Sequence, residues 1–79
     1  MVSAYVLIQT EVGKASHVST EVRKIPGVVS ADDVTGPYDV IVRTEANSMD
    51  ELGRQVVSQI QTISGITRTL TCPVVDLTS

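Results

Sequence analysis

Val40-Ile41-Val42-Arg43-Thr44-Glu45 repeats Val6-Leu7-Ile8-Gln9-Thr10-Glu11 at an offset of 34, and Ile63-Ser64-Gly65-Ile66 repeats Ile25-Pro26-Gly27-Val28 at an offset of 38. The first pair reads as two strands and the second as two helix stops that run into strands. Two strand–helix–strand units in tandem therefore predict the order β-α-β-β-α-β. The difference of four between the offsets is about one extra helical turn in the second unit. Right-handed crossovers turn this order into a split arrangement, an antiparallel four-stranded sheet with both helices on one face. The expected class is α+β, ferredoxin-like, over residues 1–79 as one domain.

Outward from the repeat, Val2 to Thr10 reads as the first strand, with Val2, Ala4, Val6 and Ile8 on one face and Tyr5 and Leu7 on the other. Ala15 to Ile25 reads as a helix whose stripe is Ala15, Val18, Val22 and Ile25, stopped by Pro26-Gly27. Val28 to Val34 is the second strand, and Asp32 and Asp33 mark an exposed or edge section. Asp39 to Glu45 is the third. Ser48-Met49-Asp50-Glu51 has the spacing of a capping box, so a second helix follows, with Met49, Leu52, Val56, Ile60 and Ile63 as its buried stripe. Gly53 costs about 1 kcal/mol in an exposed helix interior, and close approach of helix to sheet is its expected excuse. Ile66 to Val75 is the fourth strand, with Thr67, Thr69 and Thr71 on one face and Ile66, Arg68, Leu70 and Cys72 on the other. Pro73 places its far end at an edge or a bulge. The last residues are a tail.

A chain of 79 residues without Phe or Trp builds its core from Val, Ile, Leu, Met and Ala, and such a core is marginal alone. The single Cys72 excludes a disulfide and a cysteine-cluster metal site. Oligomerisation is the remaining common source of stability. With helices over one sheet face only, apolar residues of both parities in the first strand leave the other face bare. That predicts two sheets packed face to face, a homodimer of closed, barrel-like form. The net charge of −3, with Lys14, Arg23, Lys24, Arg43, Arg54 and Arg68 scattered, argues against direct nucleic-acid binding. No apolar run approaches a bilayer span and no export signal is evident, so a cytoplasmic location and no membrane partner are expected.

Between the second and third strands lies Val34-Thr35-Gly36-Pro37-Tyr38-Asp39. Gly36-Pro37 is a strong turn signal, and Tyr38 and Asp39 place a phenol and a carboxylate directly after it. The plain alternative is a tight connection with Tyr38 packed at a rim and Asp39 as a turn acceptor. His17 sits on a helix flank as a solvated residue. Cys72 has no base beside it and reads as an inert core residue. No nucleotide loop, metal cluster or paired carboxylate appears, so no cofactor is expected and no catalytic residue is assigned.

Ala4-Tyr5-Val6-Leu7-Ile8, the Ile25-Pro26-Gly27-Val28 junction, the Gly36-Pro37-Tyr38-Asp39 loop and Ile66-Thr67-Arg68-Thr69-Leu70-Thr71 resemble the effector-binding and oligomerisation domain (RAM domain) of the Lrp/AsnC transcription regulators, over nearly the whole chain. The first strand begins at Val2, so the resemblance is to a stand-alone form without the helix-turn-helix domain. It implies a homodimer and a higher assembly, tetramer to octamer, with a small-molecule effector such as an amino acid bound between dimers. Carried over by position, the effector site is Gly36, Tyr38 and Asp39 of the loop with Thr69 and Thr71 of the last strand. Asp39 would accept from a ligand ammonium, backbone N–H groups near Gly36 would hold a carboxylate, and the threonine hydroxyls would do either.

Two other functions stay open on the sequence. One is an assembly partner that alters full-length Lrp/AsnC regulators through a shared sheet face and needs no ligand. The other is a dimeric α/β-barrel enzyme, which the fold permits and the single histidine disfavours.

Overall fold

The computed structural model describes residues 1–75. Strand β1 is Val2–Thr10, helix α1 Ala15–Val22, strand β2 Val28–Asp33, strand β3 Val40–Ala46 and strand β4 Ile66–Pro73. The second helix, α2, spans residues 49–60 in three parts: α-helical Met49–Glu51, π-helical Leu52–Val57 and α-helical Ser58–Ile60. The sheet order is β2-β3-β1-β4, antiparallel throughout. This is the ferredoxin-like arrangement that the repeat predicts.

The repeat is physical as well as textual. Glu45 N–H donates to the Gly27 carbonyl at 2.8 Å, and Glu11 N–H donates to the Gly65 carbonyl at 2.8 Å. Ile25 N–H returns to Val22 at 3.0 Å, as Ile63 N–H returns to Ile60 at 3.1 Å. Gly27 and Gly65 take φ of 99° and 95°, a region open to glycine and costly for other residues. The bulges match too: β2 shifts register against β3 between Val28 and Ser30, and β1 shifts against β4 between Gln9 and Thr10, where Arg68 and Ile66 are the consecutive partners.

Ala4, Val6 and Ile8 of β1 are fully buried, and Val6 and Ile8 cluster with Val18, Val22, Val56 and Ile60 of the helices. Thr44, opposite Ala4 in the sheet, is also fully buried, and its hydroxyl donates to the Ala4 carbonyl at 2.9 Å. Pairing register assigns the opposite face. Leu7 stands between Ile41 and Leu70, and Tyr5 between Arg43 and Cys72. Tyr5 and Leu70 are 38% and 42% exposed on a face no helix covers.

The π segment explains the helix length. Leu52, Val56 and Ile60 are four residues apart, and each such step drifts about 40° in an ideal α-helix. Wider turns reduce that drift. The Ser58 N–H to Gly53 carbonyl bond spans five residues, and all three side chains stay buried. The extra residues of the second unit are thus absorbed by widening as well as by lengthening.

Edge strand β2 is closed off by a side chain. Val34 N–H donates to the Asp39 carbonyl at 2.9 Å, which makes that pair hydrogen-bonded. Alternation along an antiparallel ladder then turns the Ala31 carbonyl outward from Val42. Arg23 takes it with Nε at 3.2 Å and Nη2 at 2.6 Å.

Several expectations change. Helix α1 ends at Val22, because Lys24 and Ile25 turn back in short i−3 bonds, although Ile25 still packs on the core. Val34 belongs to the β2–β3 connection, β3 begins at Val40, and β4 stops at Pro73. Met49 is 46% exposed; it is the first helical residue, before the stripe begins. The Ser48 hydroxyl accepts from Glu51 N–H at 3.1 Å, but the Glu51 carboxylate answers at Asn47 N–H, 3.3 Å, one residue outside the expected box. Cys72 is exposed on the open face, not in the core. The expected tail, residues 76–79, lies outside the described residues.

Gly53 has no close neighbour; the close approach is at Gly27, where an added Cβ would stand 2.6 Å from Val56 Cγ2 and 3.2 Å from the Glu45 carbonyl. Gly27→Ala should therefore destabilise the fold by about 2–3 kcal/mol, and Gly53→Ala should stabilise it by about 0.5–1 kcal/mol. Urea denaturation at one protein concentration reads both, and a shared sign would refute this placement of the contact.

Candidate functional site

Asp39 is the hub of the end of the sheet where β1 stops and the β2–β3 loop returns. Its N–H donates to the Ile8 carbonyl at 2.8 Å. Its Oδ2 accepts from Thr10 N–H at 2.8 Å and from the Thr10 hydroxyl at 3.3 Å. This binds the carboxylate to the strand at its register shift, so Asp39 is structural on one oxygen. Oδ1 accepts no hydrogen bond from the described residues. The loop is held from the other side by Gln9, whose Nε2 donates to the Pro37 carbonyl at 2.9 Å.

Asp39 lines an open cleft of about 500 Å³ with Thr10, Glu11, Gly13, Ala15 and Ser16, a volume within the range of small-ligand sites. One wall carries the carboxylates of Asp39 and Glu11. The other is the first turn of α1. The N-cap of that helix is Lys14, which makes no side-chain capping bond, whereas the equivalent start of α2 is capped by Ser48. The first N–H groups of α1 and the positive end of its dipole are thus left to the cleft. Carboxylates facing an uncapped helix start suit a molecule that carries an ammonium and a carboxylate on neighbouring atoms.

The five residues expected to form the effector site do not meet in one chain. Gly36 is exposed, with φ of 152° and no atom near an added Cβ. Tyr38 is half-buried in the same loop. Thr69 and Thr71 pair with Ile8 and Val6, so they share the helix-covered face and are half-buried at its rim. β1 separates them from β3, which is two strand spacings, roughly 10 Å. Of the five, Asp39 alone lines the cleft. Thr10, Glu11 and the start of α1 also line it and belong to no functional motif in the sequence. The signal that finds them is the repeat itself, which aligns Lys14 with the capping Ser48.

On the open sheet face, Arg43 Nη1 donates to the Tyr5 hydroxyl at 2.8 Å, with the guanidinium carbon 5.5 Å from the ring centroid. A second cleft, of about 480 Å³, lies between the C-terminal ends of the two helices. His17 is exposed on its rim, as expected of a helix-flank residue. There Lys24 Nζ stands 2.7 Å from Glu21 Oε2. The hydrogen bond and charge of Lys24 lower the Glu21 carboxyl from its ordinary value. Among the described residues, no group of three metal-ligating side chains occurs, and no helix is long and apolar enough to cross a membrane.

The sequence profile of the Lrp/AsnC ligand binding domain matches residues 3–77. The chain belongs to the Lrp/AsnC family. Among curated proteins, an uncharacterised HTH-type transcriptional regulator of Pyrococcus furiosus is 29% identical over 72 residues, 87% of this chain and 48% of that protein. The chain thus spans about half the length of that relative. An enzyme also carries a similar segment: homocitrate synthase of Sulfurisphaera tokodaii is 38% identical over 47 residues, 60% of this chain and 10% of the enzyme. Among solved structures, TTHA0845 from Thermus thermophilus superposes with a TM-score of 0.90 at 26% identity, covering 100% of this chain and 99% of that one. Escherichia coli AsnC gives 0.86 at 23%, covering 99% and 53%. A Neisseria meningitidis regulator solved with L-Met gives 0.79 at 19%, covering 99% and 52%. The last two bear on the Lrp/AsnC fold alone.

Two measurements test this geometry. Asp39→Ala should cost about 1–2 kcal/mol by orphaning the Thr10 N–H and leave the chain folded; hydrogen exchange should quicken at Thr10, and unchanged exchange there would break the assignment. The Glu21 carboxyl, being lowered, contributes stability above the ordinary carboxylate range and loses it as pH falls through its folded value. An NMR titration should place it below the ordinary value in the native protein and return it there in Lys24→Gln.

Proposed function

We propose that this Lrp/AsnC domain is a small-molecule sensor and assembly module whose effector is an α-amino acid. The observation that carries this reading is the Asp39 cleft, with one carboxylate oxygen unengaged opposite an uncapped helix start. The α-ammonium sits on Asp39 Oδ1 and Glu11, and the α-carboxylate on the first N–H groups of α1. Gly36 and Tyr38 at the loop, and Thr69 and Thr71 at the β4 rim, complete the site from an adjoining subunit. The methionine named with the Neisseria structure and the family's ligand-binding description support this ligand class. A domain that recurs in transcriptional regulators and in a segment of a biosynthetic enzyme fits sensing better than catalysis.

Assembly follows from the open sheet face. Tyr5, Leu7, Ile41 and Leu70 form an apolar strip that a second copy buries in a face-to-face, barrel-like homodimer, and dimers join further into tetramers to octamers. The effector shifts this equilibrium by binding one assembly more tightly. The net charge of −3 disfavours direct DNA contact by these residues, and a cytoplasmic location fits this role. Association with full-length regulators of the family would use the same strip.

Thermal-shift screening with the common amino acids should find at least one ligand, since a ligand at 100 times its Kd adds about 2.7 kcal/mol. Asp39→Asn should abolish that shift and keep the fold. No response to any amino acid would sink the sensor reading. Sedimentation at micromolar concentration should show a dimer or larger, and Leu7→Lys should dissociate it; a folded native monomer would end the assembly reading.

A further inference from the structure

The cleft between the helix ends lies on the axis that relates the two halves of the chain, and there the halves differ in chemistry. The positions that hold the fold keep their character: Val22 answers Ile60, Ile25 answers Ile63, and Gly27 answers Gly65. The positions that wall the cleft do not. Glu21 faces Gln59, Lys24 faces Thr62, and Pro26 faces Ser64. One wall is therefore ionic and the other a row of neutral hydrogen-bonding groups, over a floor of Ile25, Pro26 and Ile63.

Charge decides what such a cleft takes. Two helices end here, each with about half a negative charge at its C-terminus, and neither has a basic residue in its last turn. The Glu21 carboxylate adds a full negative charge. Lys24 is the positive group paired with it, and its side chain is 69% exposed; His17 stands on the rim, and the Arg23 guanidinium is engaged on the Ala31 carbonyl. The balance favours a cation, and the apolar floor favours one carried on methylene groups. Lys24 itself displays the chemistry, an ammonium at 2.7 Å from Glu21 Oε2 at the end of an aliphatic stem. Because that pair is open to water it is weak, so an incoming ammonium that also gains the apolar floor can displace it.

We infer that this cleft binds a primary alkylammonium group, with the ammonium on Glu21 at the negative ends of the two helices, the alkyl chain over Ile25 and Ile63, and Lys24 as the built-in competitor. The site is separate from the Asp39 cleft and stands whether or not that cleft takes an amino acid.

The test is a titration of the ¹⁵N-labelled protein with n-butylammonium chloride, compared with sodium butyrate and sodium chloride at matched ionic strength. Saturable shifts are expected at the amides of Glu21, Ile25, Gln59 and Ile63 with the amine alone. Glu21→Gln should weaken binding about tenfold, and Lys24→Gln should tighten it about threefold by removing the competitor. Asp39→Asn should leave it unchanged. Equal shifts with butyrate, an unchanged affinity in Glu21→Gln, or weaker binding in Lys24→Gln would overturn the site. The opposed signs of the two variants keep it testable even if one of them perturbs the helix end.

Discussion

Two backbone hydrogen bonds of 2.8 Å, from Glu45 to Gly27 and from Glu11 to Gly65, set the geometry on which everything else rests. Each ties the exit of a helix to the end of a strand that precedes or follows it in the repeat. Each demands a backbone turn that glycine makes at little cost. At Gly27 the demand is also steric, because Val56 leaves no room for a side chain. With these two joints closed, both helices lie over β1 and β3, the core forms on one side of the sheet, and the clefts open where helices begin and end.

Much of this was legible because the constraint is periodic. Alternation in β1 separated Ala4, Val6 and Ile8 from Tyr5 and Leu7, and burial follows that division. The paired Gly motifs announced both helix stops. What escaped was local. Nothing in a 3.6-residue count signals that Leu52, Val56 and Ile60, spaced by four, are reconciled by a π segment. Gly53 looked like a contact and is solvent-facing, whereas Gly27 looked like a stop and is also a contact. Cys72 followed its strand partner Tyr5 to the open face, which parity shows only once register is known. For the candidate site, the sequence points to the loop residue Asp39, but its hydrogen-bond partner Thr10 and the start of α1 come from pairing across β1 and from the absence of a cap at Lys14.

The useful lesson is where the internal symmetry fails. A duplicated unit repeats whatever the fold requires, so departures from repetition mark positions free to do something else. Helix α2 is capped by Ser48 and Glu51, and α1 is not; the cleft beside the uncapped start holds Asp39. At the other end, Glu21 and Lys24 stand where the second unit has Gln59 and Thr62. Both departures place charge next to a helix terminus, where the dipole makes it count. The family match explains the scaffold, and these departures mark the surfaces on which the two proposals above rest.

The guanidinium of Arg23 on the Ala31 carbonyl has a further effect. A small β-rich chain with an open apolar sheet face must accept some contacts and refuse others, and bare strand margins are the dangerous ones, since they template fibrils. Arg23 occupies an acceptor that an intruding strand would need, and Asp32 and Asp33 beside it repel approach. Runaway polymerisation through this margin is thereby discouraged, which leaves the open sheet face as the surface free to take a partner.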